Sequence, residues 1–432
     1  MHDDRPAFDR PHLNPNLRGL SPSATVATQE RCNRLLGEGR KIYKMGLGQS
    51  PFPVPESVVA ALRDNAFQKD YLPVKGLFEL RDTLARRHTR LFGIECNADR
   101  VLIGPGSKEL MFLLQLVFGG DVLIPSPAWV SYEPQARIIG RRVVNISTAA
   151  ADNWQLTPDQ LEAVCRQDPA RPRLLILNYP ANPTGASYSK DALAGLAAVC
   201  RKYGVIVLSD EIYSLLRFEG EHHSLLPLYP EGTIYSSGLS KWCGAGGWRL
   251  GTFIFPKELT WIEEAMAVVA SETFTSTSAP IQYAAIQAFE GGPEIERYVD
   301  DCTRILKALA EYTHEKLQSS GLPTVKPEGG FYCFPDFAAL REPLKARGIS
   351  HARQMTEAIL EETGVAILPG VEFGRPASEL TARIAFVDFD GGKALAAQRE
   401  EANGAKDPAF IRTHCARTVE AVDRIAEWVK QL

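Results

Sequence analysis

Long hydrophobic runs are missing from this sequence. The longest strongly apolar stretch, Leu110 to Phe118, is interrupted by one Gln and falls far short of the roughly 20 residues of a membrane span. The N-terminal MHDDRPAFDRPHLNPNLRGL is polar and proline-rich, with no apolar centre, so no secretory signal is expected. Runs of one charge sign are missing too. The 48 Lys and Arg and the 52 Asp and Glu leave a net charge of −4, so neither nucleic acid nor an anionic membrane is an expected partner. Cysteine is sparse: eight residues, none in C-x-x-C spacing, which predicts reduced thiols in a cytoplasmic protein. No metal is expected. Cys243, two residues after Lys241, reads as an inert small residue.

What is present is a large, regularly punctuated chain. The 432 residues, 45% of them hydrophobic, are enough for two sizeable cores. PESVVAALRDN and LFELRDTLARRHTRLFG have helical period; the first has Pro near its start and the second ends at Gly93. Short apolar runs (VLIG, VLIPS, VVNIS, LLILN, VIVLSD, TIYSSG, GTFIFP) then mostly alternate with helical patterns. That alternation predicts an α/β fold with a largely parallel sheet covered on both faces. After residue 290 the style changes to long helices flanking the short strands GFYCFPD, VAILPG and ARIAFVDF. A smaller α+β domain is expected there, joined by the segment before Pro55.

Ligands of open α/β sheets bind beyond the carboxyl ends of the strands, so the residues after each strand carry the functional reading. After VLIG come Gly106, Ser107 and Lys108 and then a helix, which is either a phosphate cradle at a helix N-terminus or an ordinary turn. Trp129, after VLIPS, either stacks on a flat ring or fills the core. In NYPANPTG two prolines bracket Asn182 and hold one amide in place. Asp210 and Tyr213 follow VIVLS; a carboxylate there needs a cationic or N–H partner. SSGLSKWCGAGGWRLG places Lys241 and Arg249 among glycines. Together these residues fit one ligand, pyridoxal 5′-phosphate. Its aldehyde suits Lys241, its ring nitrogen Asp210 and its ring oxygen Asn182 and Tyr213. Its phosphate suits the 106–108 turn and Arg249, and its ring Trp129.

The chain resembles the class I/II aminotransferases of fold type I, on NYPANPTG (178–185), SDEIY (209–213), SKWCGAGGWRLG (240–251) and ARIAFVDF (382–389). PSATVA (22–27), WVSY (129–132) and DYLPVKGLFELR (70–81) are most similar to the bacterial aspartate/prephenate branch. The resemblance implies a pyridoxal-phosphate transferase fold with a central, mostly parallel seven-stranded sheet. It also implies an N-terminal arm (1–18), a large domain (59–300) and a small domain (19–58 with 301–432). Lys241 resembles the Schiff-base lysine, Asp210 the ring-nitrogen partner, and Tyr213 and Asn182 the partners of the ring oxygen. Ser107, Lys108, Ser240 and Arg249 resemble phosphate binders. Tyr71 resembles the tyrosine that reaches the phosphate of a second subunit, which implies a homodimer with shared sites. Arg383 resembles the arginine that holds the substrate α-carboxylate, and Gly48 a glycine of the loop over the substrate.

Four departures stand out. Gly238 replaces a common Ser, leaving Ser237 or Ser240 for phosphate; GQSPF replaces GEPDF; Ser21 replaces a lysine; and 391–410 looks like an insertion. The expected activity is ping-pong transfer of an amino group from an L-amino acid to a 2-oxo acid, 2-oxoglutarate first. Aspartate is the leading donor, with Lys75 or Arg18 as the cation for a second carboxylate. An aromatic or neutral donor, or a lyase on the same scaffold, is the alternative.

Overall fold

A computed structural model describes residues 14–20 and 24–432, except the side chains of 24–27 and 29. Most of the predicted arm, Ser21 and the start of PSATVA therefore lie outside the described residues.

The central sheet has seven strands: β2 Val101–Gly104, β3 Asp121–Ser126, β4 Val143–Ser147, β5 Arg173–Asn178, β6 Ile206–Asp210, β7 Thr233–Gly238 and β8 Gly251–Ile254. They follow β1, Tyr43–Lys44, and lie in the order β2-β8-β7-β6-β5-β3-β4. β8 runs against both of its neighbours, and every other pair is parallel. Continuous apolar runs are what such strands need, because both faces are covered. Along β5, Leu174 and Ile176 join one buried cluster while Leu175 and Leu177 join another on the opposite face. That is the two-residue alternation of a strand sandwiched between helical layers.

Helix ends follow local chemistry. Gly93 closes Phe78–Phe92 in the left-handed conformation. Thr157 and Gln160 form a reciprocal capping box at Pro158–Gln167. Two smaller sheets use residues outside 59–300. β1 pairs with β10, Val365–Ala366; β11, Leu368–Pro369, and β9, Tyr332–Cys333, flank β12, Ala382–Ala385. Residue 300 falls inside one 27-residue helix, Pro293–Ser319, so the chain crosses that position without a break in hydrogen bonding. The stretch 391–410 forms the helix Gly391–Glu400, a short turn and the start of Pro408–His414. Arg399 of this stretch pairs with Asp301 of the long helix at 3.1 Å.

Candidate active site

Three segments meet at the carboxyl ends of β5, β6 and β7 around a cavity of about 420 Å³. Asn178 and Asp210 are the last residues of β5 and β6. The third segment, 239–250, connects β7 to the adjacent antiparallel β8 and so returns to the same end of the sheet. It brings Ser240, Lys241 and Arg249 to the cavity wall. Ser107, Lys108, Trp129, Asn182, Tyr213 and Gly48 line it as well.

The cavity is cationic. Lys108, Lys241 and Arg249 line it, and none has an ion pair among the described residues. Burial lowers the Lys108 pKa, and Arg249 lowers it further. Burial, opposed by Asp210 and aided by Arg383 and Arg249, brings Lys241 down to about 8. Its Nζ donates to the Gly48 carbonyl at 2.8 Å. Arg249 sits in the left-handed region at φ 57°, costly for a residue with a Cβ. Its guanidinium lies against Gly106, where an added Cβ would fall 2.3 Å from Nη2. Glycine at 106, itself at φ 90°, is what lets the arginine cover the N-terminus of Ser107–Val117.

Asp210 is the carboxylate lining the cavity. Tyr132 donates to its Oδ2 at 2.6 Å and Ser236 to Oδ1 at 3.3 Å. Burial nevertheless raises its pKa to about 6, against the lowering pull of those donors, the Ile212 N–H and Lys241. Asn178 donates to the Asp210 carbonyl at 2.8 Å and accepts the Asn182 N–H at 2.8 Å. Asn182 in turn accepts from Arg383 at 2.9 Å. Tyr132, Asn178 and Ser236 belong to the site and were not singled out from sequence, although WVSY and NYPANPTG hold two of them. Trp129 lines the cavity and also packs on the core, with Lys108 Nζ 5.6 Å from its ring centre.

Other sequence expectations separate. Arg383 is 2% exposed and does not line the cavity; Asn182 and the Gly46 carbonyl cover two of its nitrogens, and Nε has no partner. Tyr213 shares a hydrogen bond of 2.9 Å with Tyr332, whose ring lies 4.6 Å from the Arg383 guanidinium. Tyr71 is 89% exposed and lines no part of its own chain's cavity. Ser240 lines the cavity but Ser237 does not. Gly238 is closed in by strand packing: a Cβ there would meet the Leu250 carbonyl at 2.7 Å. Lys75 is paired with buried Glu263 at 2.8 Å, and Arg18 is solvent-exposed. Burial raises the Cys243 thiol to about 12, which leaves it inert. Among the described residues no group of His, Cys, Asp and Glu is arranged for a metal, and no helix is long and apolar enough to cross a membrane.

A buried amine, a buried carboxylate and unpaired cations at a helix N-terminus form a donor set that fits pyridoxal 5′-phosphate. Comparison with known proteins agrees. The family described as aminotransferase class I and II matches residues 40–388. An aspartate aminotransferase of Geobacillus stearothermophilus is 32% identical, over 84% of this chain and 92% of its own. An aspartate/prephenate aminotransferase of Thermus thermophilus is 32% identical, over 84% and 91%. The solved aspartate aminotransferase of Thermus thermophilus with maleate superposes with a TM-score of 0.81 at 28% identity, covering 97% of this chain and 100% of its own. Sequence, fold and cavity converge, and the chain belongs to the class I and II aminotransferases as a pyridoxal-phosphate-dependent transaminase.

Proposed function

We propose that the enzyme takes the amino group of a dicarboxylic L-amino acid, aspartate first, and passes it to a 2-oxo acid such as 2-oxoglutarate. The observation that supports the transaminase chemistry is the buried amine of Lys241 and the buried carboxylate of Asp210 on one cavity with the cations Lys108 and Arg249 for a phosphate. Arg383 waits behind Asn182 with its Nε unpartnered. Bound pyridoxal phosphate supplies an aldehyde that condenses with amines and a ring that accepts electrons. Lys241 holds the proton that moves to and from the substrate Cα, and a pKa brought down to about 8 suits that role near neutral pH. Asp210 keeps the ring nitrogen protonated. Ser107, Lys108, Ser240 and Arg249 hold the phosphate. Trp129 covers the ring, with Asn182 and Tyr213 at its oxygen. Arg383 takes the α-carboxylate once Asn182 yields, and Gly48 belongs to the strip above it. The relatives named aspartate aminotransferase support the donor.

Two observations favour a second reading, a neutral donor. Lys75 is neutralised by Glu263, and a relative 30% identical in Streptococcus mutans is named asparagine–oxo-acid transaminase. The working unit in our reading is a homodimer, supported by Tyr71, Phe67 and Phe78 standing exposed on one segment. We take the chain to be cytoplasmic and divided into the arm and two domains given above. The test is spectral. The loaded enzyme should lose its visible absorbance when aspartate or glutamate is added, and regain it with 2-oxoglutarate. Loss with asparagine or an aromatic amino acid alone would replace the dicarboxylic donor with a neutral one.

A further inference from the structure

Behind the active site lies a second cavity of about 170 Å³. It touches two of those three segments from the other side: Glu211, next to Asp210, lines it, and so do Ser237 and Trp242 around Lys241. Its apolar wall includes Leu84, Leu91 and Phe92 of one helix, with Ile254 and Phe289 opposite. The rest of the wall is polar and incompletely satisfied. His88, His222, Trp242 and Thr252 each carry a buried side-chain nitrogen or oxygen with no hydrogen-bond partner. His88, Trp242 and Thr252 are 5%, 3% and 0% exposed. Buried polar atoms are almost always paired, and four without a protein partner converge on this one space.

The chemistry of that occupant follows from the donors. Trp242 Nε1–H can only donate. Glu211, the carboxylate of the wall, is already engaged by Tyr179, Ser209, Ser224 and His222. At Trp242 the cavity therefore calls for an acceptor. Arg87 lies on the helix face shared by Leu84, His88 and Leu91, at spacings of three and four. It lines the cavity and has no ion pair among the described residues. The volume equals roughly six waters' share of the liquid, enough for a ring or a branched chain. A mostly apolar wall with a few placed polar groups is how small-ligand pockets are built.

We propose that this cavity is a second ligand site, for a small carboxylate with an aromatic or branched apolar body. Arg87 binds the carboxylate and the Leu84–Phe92 face packs on the body. The orphan Trp242 N–H meets an acceptor atom of the ligand or a water bound with it. An occupant presses on the two segments that place Asp210 and Lys241, so the site is an effector pocket distinct from the substrate cavity.

Calorimetric titration of the pyridoxal-phosphate-loaded enzyme with benzoate tests this. One binding event per chain is expected, retained in Arg383→Lys and weakened at least about tenfold in Arg87→Gln. Arg87 is partly exposed and unpaired, so its substitution leaves the fold intact. Binding that survives Arg87→Gln and disappears in Arg383→Lys would place benzoate in the first cavity and overturn the proposal. A crystal of the loaded enzyme soaked in benzoate is independent of either variant. Benzoate against Arg87 supports the site, and water alone there overturns it.

Discussion

Asp210 and Glu211 are neighbours in sequence, both buried, and they face opposite cavities. Glu211 receives four side-chain donors, three on one oxygen and one on the other. Asp210 receives two, one of them at 3.3 Å, and burial drives its pKa to about 6. The saturated carboxylate holds structure together. The under-satisfied one keeps bonding capacity for a ligand. In this molecule function is written as incomplete satisfaction, and the same lens separates Lys75, tied to Glu263, from the unpaired Lys108 and Arg249.

The strongest test of that contrast is Lys241→Ala. Turnover should fall on the order of 10⁴-fold or more, and the visible absorbance of the loaded enzyme should vanish. Substantial turnover from a preparation free of host enzyme would sink the assignment. The two carboxylates should then part company. Glu211→Leu strands four donors and should cost about 3 kcal/mol or more in urea unfolding. Asp210→Asn should cut kcat at least about 100-fold yet stabilise the cofactor-free protein. A carboxyl whose folded pKa lies above its ordinary value stabilises at low pH and loses that contribution as pH rises through about 6. The gain from the amide should therefore approach about 3 kcal/mol at pH 7 and fade below about pH 4. Equal losses of stability in the two variants would erase the distinction.

A gentler probe is pH. With Lys241 near 8, the rate at which cofactor-free protein captures pyridoxal phosphate should climb through pH 8 and level off about a unit above. A rate still rising at pH 10 would mean an ordinary lysine. The smallest effect is expected from Tyr132→Phe. It removes the shorter of the two side-chain bonds to Asp210, should lower kcat about tenfold, and should shift the acid limb of the pH profile upward.

Much of the fold was legible because its signals are local. Apolar runs of strand length alternated with helical period, and β5 shows why: neither face meets water. Lys241, Asp210, Asn182 and Arg249 were legible because each lies at the carboxyl end of a strand or in the connector that returns to it. What escaped was pairing across distance. Tyr132 reaches Asp210 across 78 positions, and no spacing announces that. Ser237 and Ser240 looked interchangeable in sequence, but alternation along β7 and the turn after it sends only Ser240 to the cavity. Lys75 read as a free cation because Glu263 lies far along the chain.

The connector between β7 and β8 works as a ruler. Helical crossovers elsewhere in the sheet absorb changes of length in their outer loops. Here twelve residues, 239–250, must leave one strand and re-enter its antiparallel neighbour at Gly238 opposite Gly251. Lys241 and Arg249 stand near its two ends, so the gap between amine and guanidinium on the cavity wall is set by hairpin closure. A redesign that lengthens this segment by one residue dislocates both groups at once.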